Sequence, residues 1–143
     1  MAVATGQAPL MFDNAAAVPA RVRQSADLVY KTLGTRELAL DLYQPSDDNE
    51  PRPLVVFIHG GYWRALDKAD FSYLCEPLVD AGAIVASVNY GLCPSVSVEA
   101  IVQQTREATA WLYRNAAELG GDPDKLHLSG HSAGAHLAVM MMA

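Results

Sequence analysis

The chain has 143 residues, enough for one domain with a substantial buried core. Hydrophobic residues make up 51% of it and charged residues 18%, which excludes an intrinsically disordered chain. A formal net charge of −6 argues against nucleic acid or an anionic membrane as the main partner.

Residues 1–26 begin Ala-rich, contain Pro9 and Pro19 and lack periodicity, and they read as an N-terminal arm or a short helix over the domain edge. Two strands are predicted next, Asp27 to Thr32 and Glu37 to Tyr43, with Gly34-Thr35 between them as a hairpin turn. Pro45 to Pro53 is a polar, proline-bounded loop. Leu54-Val55-Val56-Phe57-Ile58 is apolar on both faces, which suits a buried parallel strand. Asp67 to Asp80 carries Phe71, Leu74, Cys75, Leu78 and Val79 at helical spacing; Pro77 should kink or divide that helix, and Gly82 fits its C-cap. Ala83 to Val88 is another buried strand. Ser97 to Leu119 is the clearest helix, with Val98, Ile101, Val102, Thr105, Ala108, Thr109 and Leu112 on one face and Gly120-Gly121 stopping it. Lys125 to Leu128 is the last strand, and an apolar helix follows from His136. A hairpin followed by strand–helix alternation predicts an α/β fold, a doubly wound, mostly parallel sheet with helices on both faces, over residues 27–143.

The chemistry concentrates in Gly130-His131-Ser132-Ala133-Gly134. A G-x-S-x-G pentapeptide between a buried strand and an apolar helix is the setting of a nucleophile elbow, in which one sharp turn exposes the serine Oγ at a helix N-terminus. Gly130 and Gly134 are expected where a Cβ would strike the neighbouring strand or helix. A second segment, His59-Gly60-Gly61-Tyr62-Trp63, leaves the early buried strand. Oxyanion stabilisation needs bare backbone N–H groups aimed at one point, and glycine lets the chain turn there without shielding them. Gly60 and Gly61 are the candidate donors, with the Ala133 N–H as their partner from the elbow. His59 reads as a loop-ordering residue. Tyr62 and Trp63 either wall an aromatic substrate pocket or simply cover the sheet end.

The other histidines carry less. His127 and His136 read as packed or capping residues, and His131 adjoins the nucleophile too closely to swing its ring onto Ser132. Asp67, Asp70 and Asp80 read as helix-end or surface carboxylates. Cys93 reads as a structural loop cysteine. Neither Cys75 nor Cys93 belongs to a C-x-x-C pair, so a reducing cytoplasm is the default setting. No basic region followed by an apolar core opens the chain, and no run approaches a membrane span. No phosphate-binding glycine loop, zinc-ligand spacing or basic patch is present in the sequence.

His59-Gly-Gly-Tyr-Trp63, Val88-Asn-Tyr-Gly-Leu-Cys-Pro94 and Gly120-Gly-Asp-Pro123 before the elbow, in that order and spacing, resemble the N-terminal portion of an α/β-hydrolase. The group resembled is that of hormone-sensitive-lipase-like esterases and kynurenine formamidases (arylformamidases), and the likeness runs from about residue 27 onward. It implies hydrolysis of a carboxylic ester or an aryl formamide, N-formylkynurenine being the leading substrate idea, with a general carboxylesterase as the alternative. Ser132 would be the nucleophile, Gly60, Gly61 and Ala133 the oxyanion hole, and no cofactor or metal would be needed. Relatives often carry a charged residue where this chain has Gly91, so no substrate contact is carried over there.

Serine acyl transfer also needs a histidine base and an orienting carboxylate, and in this fold both follow the serine in chain order. No carboxylate follows Ser132, and the one histidine that does, His136, lies in the helix of the elbow itself and not on a later strand-end loop. The expectation is therefore a C-terminally incomplete hydrolase domain. Its last strand would be an open apolar edge prone to self-association. A catalytically inactive fragment or an interaction module is the non-enzyme alternative.

Overall fold

The computed structural model describes residues 20–47 and 51–143. The expected arm lies outside the described residues as far as residue 19, and so do residues 48–50 of the proline-bounded loop. Strand β1 (Val22–Leu33) starts earlier than the hydrophobic pattern suggested, and β2 (Arg36–Pro45) returns beside it through the turn at Gly34-Thr35. The remaining strands are β3 (Arg52–Ile58), β4 (Ile84–Val88) and β5 (Gly121–Gly130). They form one five-stranded sheet in the order β1-β2-β4-β3-β5. The hairpin and the β2/β4 pair are antiparallel; β4/β3 and β3/β5 are parallel.

Strand alternation puts two apolar sets on opposite faces of the sheet. Leu40 and Leu42, Leu54, Val56 and Ile58, and Ile84, Ala86 and Val88 meet Ile101, Ala108 and Leu112 of helix α2 (Val98–Asn115) and Leu137 of helix α3 (Ala133–Met140). Tyr43, Phe57 and Val85 meet Phe71, Cys75 and Val79 on the other face. Helices therefore cover both faces, as expected of a doubly wound sheet.

Other local boundaries also differ from the sequence reading. The helix expected over 67–80, kinked or divided by Pro77, is indeed divided, but ahead of the proline, into a 3₁₀ segment (Lys68–Leu74) and helix α1 (Cys75–Asp80). Pro77 sits in the first turn of α1, where an N–H would have no intrahelical acceptor. Asp67 caps the 3₁₀ segment by accepting from the Ala69 N–H, while Asp70 accepts from the Asp67 N–H. Helix α2 ends at Asn115, short of Leu119, after starting on a Ser97 cap that accepts from the Ala100 N–H. Strand β5 begins at Gly121 rather than Lys125: Arg52 pairs with Gly121 but Leu54 pairs with Leu126, so β5 bulges opposite Pro53, which has no N–H to give. Helix α3 starts at Ala133, directly after the elbow serine.

Among the described residues β5 pairs only with β3 and forms one edge of the sheet. Leu126 and Leu128 line a groove of about 350 Å³ with Tyr113, Arg106 and Arg114 of α2 and with Met141. No helix among the described residues is long and apolar enough to cross a membrane.

Candidate active site

Ile58 and Gly130 end adjacent parallel strands in register, so the loops that leave them emerge at the same end of the sheet. Ser132 follows Gly130 by two residues with φ 55° and ψ −117°, a left-handed backbone that a serine adopts only when its surroundings impose it. The neighbours do impose it. A Cβ on Gly130 would lie 2.7 Å from the Ala135 nitrogen and closer still to the Gly134 carbonyl. On Gly134 it would lie 2.6 Å from the Ile58 carbonyl carbon and 2.7 Å from the His59 oxygen. The elbow is thus clamped between its own helix and the end of β3. Ser132 is exposed, and its carbonyl starts α3 by accepting from the His136 N–H at 3.1 Å.

The loop after β3 lies against this turn. The Cβ position of Gly60 is 3.2 Å from Ser132 Cβ and 2.7 Å from the His131 carbonyl oxygen, so only glycine allows the approach. Gly61 has φ +124°, and its carbonyl accepts from both the Arg64 and Ala65 N–H groups at 3.0 Å, turning the loop back on itself. Among the described residues, the N–H groups of Gly60, Gly61 and Ala133 donate to no acceptor. The structure therefore brings together Ser132, Gly60 and Ala133, with Gly61 next in the same loop. Bare N–H groups beside an exposed hydroxyl at a helix N-terminus favour an anion there.

Tyr62 and Trp63 both have positive φ but opposite surroundings. Tyr62 is 79% exposed. Trp63 packs on the core and meets His136 edge-on at 5.4 Å, and its buried Nε1 has no partner among the described residues. His127 and His136, expected as packed or capping residues, are both exposed: His127 lies on the sheet-edge strand β5, and His136 keeps only its edge-on contact with Trp63 among the ring contacts of the described residues. None of His59, His127, His131 and His136 makes a hydrogen bond to Ser132 Oγ.

His59 is buried and its ring is sandwiched, 4.4 Å from Tyr90 and 6.1 Å from Phe71 between ring centres. Its Nδ1 lies 2.7 Å from the Gly60 carbonyl oxygen; a carbonyl only accepts, so Nδ1 carries the hydrogen. Nε2 is buried without a partner among the described residues. Burial lowers the imidazole pKa, against the pull of the Gly60 carbonyl and of Asp67 and Asp70. His59 is thus a neutral fixture of the loop, as its sequence context implied.

Several supporting residues were not assigned to the site from the sequence. Tyr90 donates from Oη to the His59 carbonyl at 2.6 Å. Asn89 accepts from the Lys68 N–H and donates to Asp67, both at 2.8 Å, tying β4 to the 3₁₀ segment. Lys68 Nζ reaches the buried Asp41 at 3.0 Å and Asp27 at 2.9 Å, and the Asp27 N–H donates to Asp41 across the β1 bulge. Burial pulls the Lys68 pKa down, but Asp27 and Asp41 outweigh it and raise it overall. Asp67 behaves in the mirror sense: burial raises its pKa, and the Ala69 N–H, Asn89 and Lys68 hold it below the usual carboxylate range. Asn-Tyr at 89–90 after an apolar strand was the available hint, yet which atoms those side chains grip depends on two loops remote in sequence. Gly91 is explained sterically: a Cβ there would lie 3.0 Å from Val96 and 3.1 Å from Gln104 Oε1.

A sequence profile of the BD-FAE family matches residues 40–143. Kynurenine formamidase of Danio rerio is 39% identical over 104 residues, which cover 73% of this chain and 34% of that protein. Esterase LipQ of Mycobacterium tuberculosis is 36% identical over 120 residues, 82% of this chain and 28% of that protein. Among solved structures, the apo form of Thermogutta terrifontis esterase 2 superimposes with a TM-score of 0.74 at 35% identity, covering 80% of this chain and 44% of that one. The same esterase has been seen phosphorylated by paraoxon. The chain spans about a third of the length of the kynurenine formamidase it matches.

Proposed function

The chain belongs to the BD-FAE family, an α/β-hydrolase of the kynurenine formamidase and hormone-sensitive-lipase-like esterase group, and from that premise we propose that it carries the nucleophile half of a serine hydrolase site. Ser132 attacks the carbonyl carbon of a carboxylic ester or an aryl formamide. The Gly60, Gly61 and Ala133 N–H groups take the charge of the tetrahedral oxyanion, the alcohol or amine leaves, and water clears the acyl or formyl group. The observation that carries this reading is the left-handed, exposed Ser132 placed against Gly60 at the shared end of β3 and β5. An aryl formamide is favoured among substrates by the likeness to kynurenine formamidases, with a general carboxylesterase as the alternative suggested by the esterase relatives.

With no histidine on Ser132 Oγ, the base and its carboxylate come, in this reading, from residues outside those described. The 143 residues alone then show residual turnover at most. A reducing, cytoplasmic setting belongs to the same proposal, on the ground that neither Cys75 nor Cys93 belongs to a C-x-x-C pair. The β5 edge, with Leu126, Leu128 and Met141 beside it, favours self-association of the isolated chain, which sedimentation would read as a concentration-dependent mass. The direct test is paraoxon or a fluorophosphonate on the full-length protein, read by intact mass. One adduct on the wild type and none on Ser132→Ala is the expected result. An unreactive wild type, or an adduct that survives the substitution, refutes the assignment.

A further inference from the structure

Gly60 and Gly61 have no side chains, so hydrogen bonds to their carbonyls and those of their neighbours are the polar handles by which the fold orients this pair. The peptide bonds that join His59, Gly60 and Gly61 are trans. In a planar trans peptide the carbonyl of one residue and the N–H of the next point in opposite directions. Gripping the His59 carbonyl therefore aims the Gly60 N–H, and gripping the Gly60 carbonyl aims the Gly61 N–H. Both grips are present. Tyr90 Oη donates to the His59 carbonyl at 2.6 Å, and His59 Nδ1 donates to the Gly60 carbonyl at 2.7 Å. The Tyr90 side chain is buried, rests on the core below the loop and stacks on the His59 ring, so one residue holds both the plane and the ring that holds the next plane.

Building on the hydrolase reading above, we propose that Tyr90 is a positioning residue whose hydroxyl fixes the Gly60 N–H toward the oxyanion point beside Ser132, with the His59 ring doing the same for Gly61. Burial raises the Tyr90 pKa, so its hydroxyl remains a donor throughout the working pH range. The segment after β4 thereby reaches the reacting centre without touching substrate.

The test is Tyr90→Phe, which deletes one oxygen and keeps the ring stack. In the ¹⁵N-labelled chain, the Gly60 N–H order parameter should fall from about 0.85 to below about 0.6, and its residual dipolar coupling should change. The Val55–Ile58 amides should stay as they are, a contrast that a merely structural Tyr90 would not produce. An unchanged Gly60 N–H in folded Tyr90→Phe overturns the proposal. If that variant does not fold, the wild type decides: a Gly60 N–H as ordered as the β3 amides supports the proposal and a mobile one overturns it. In p-nitrophenyl acetate hydrolysis by the full-length protein, kcat should fall about tenfold with KM unchanged, less than the loss of a whole oxyanion donor; an unchanged kcat also counts against it. Absence of turnover in the wild type would sink the hydrolase reading instead, and the N–H measurements would still stand on their own.

Discussion

Gly134→Ala sets two effects of opposite sign against each other. Gly134 lies inside α3, where alanine is the better helix former by about 1 kcal/mol. Yet the new methyl would sit 2.6 Å from the Ile58 carbonyl carbon and 2.7 Å from the His59 oxygen. A relaxed carbon–oxygen contact lies at about 3.3–3.6 Å. Both obstacles are backbone at the end of β3, a strand paired on both sides, so neither can rotate away. The Ile58 carbonyl oxygen is closer still, so helix α3 must retreat by more than about 1 Å, opening its packing through Leu137 and Ala138, and overpacking this severe costs about 3 kcal/mol, the upper end of the usual range. The net expectation is a loss of about 2 kcal/mol, which for a domain of this size lowers Tm by about 6–10 °C. Ser132 caps the same helix and would move with it, and a displacement near 1 Å at a reacting group can cost about 100-fold in kcat. Thermal unfolding by circular dichroism reads the first number, and ester turnover by the full-length protein reads the second. A variant with a Tm at or above that of the wild type would mean that helix propensity prevailed and that α3 does not seat on β3 as described.

The Lys68–Asp41 pair is nearly solvent-free, with side chains 9% and 3% exposed, whereas Asp27 is 76% exposed. Asp41→Asn should therefore cost about 3 kcal/mol in urea unfolding and Asp27→Asn under about 1 kcal/mol, and equal effects would contradict the burial argument. His59 has a pKa below its unfolded value, so the unfolded chain binds more protons and stability falls as pH drops below about 6.5. The slope contributed by one such group is at most about 1.4 kcal/mol per pH unit. It should be missing from His59→Gln between about pH 6.5 and 5, above the range in which the depressed Asp67 protonates; an identical slope in both proteins would show that His59 titrates normally. Purified 143-residue chain should hydrolyse p-nitrophenyl acetate and N-formylkynurenine only marginally, since a serine without a base keeps an ordinary alcohol pKa. Robust Ser132-dependent turnover would place a base within these residues.

Local pattern determined a good deal. Period-two alternation located β2, and the two-sided apolar runs of β3 and β4 required a sheet covered on both faces. The spacing from Ile101 to Leu112 marked the buried face of α2, and the glycines around Ser132 stood where backbone contact forbids a Cβ. These features were legible because each is set by residues a few positions apart. What only the tertiary structure decided involves partners distant in the chain. The start of β5 depended on Pro53 across the ladder, and the division at Leu74 depended on how the 3₁₀ segment packs and caps beside β4. Tyr90 acquired its hold on the His59 carbonyl, and Lys68 its two carboxylates, from segments 31 and 27–41 residues away in sequence. A polar side chain in the sequence carries its donors and acceptors but not their direction; that is fixed only when the sheet order brings β4 between β2 and β3 and sets those groups within bonding distance.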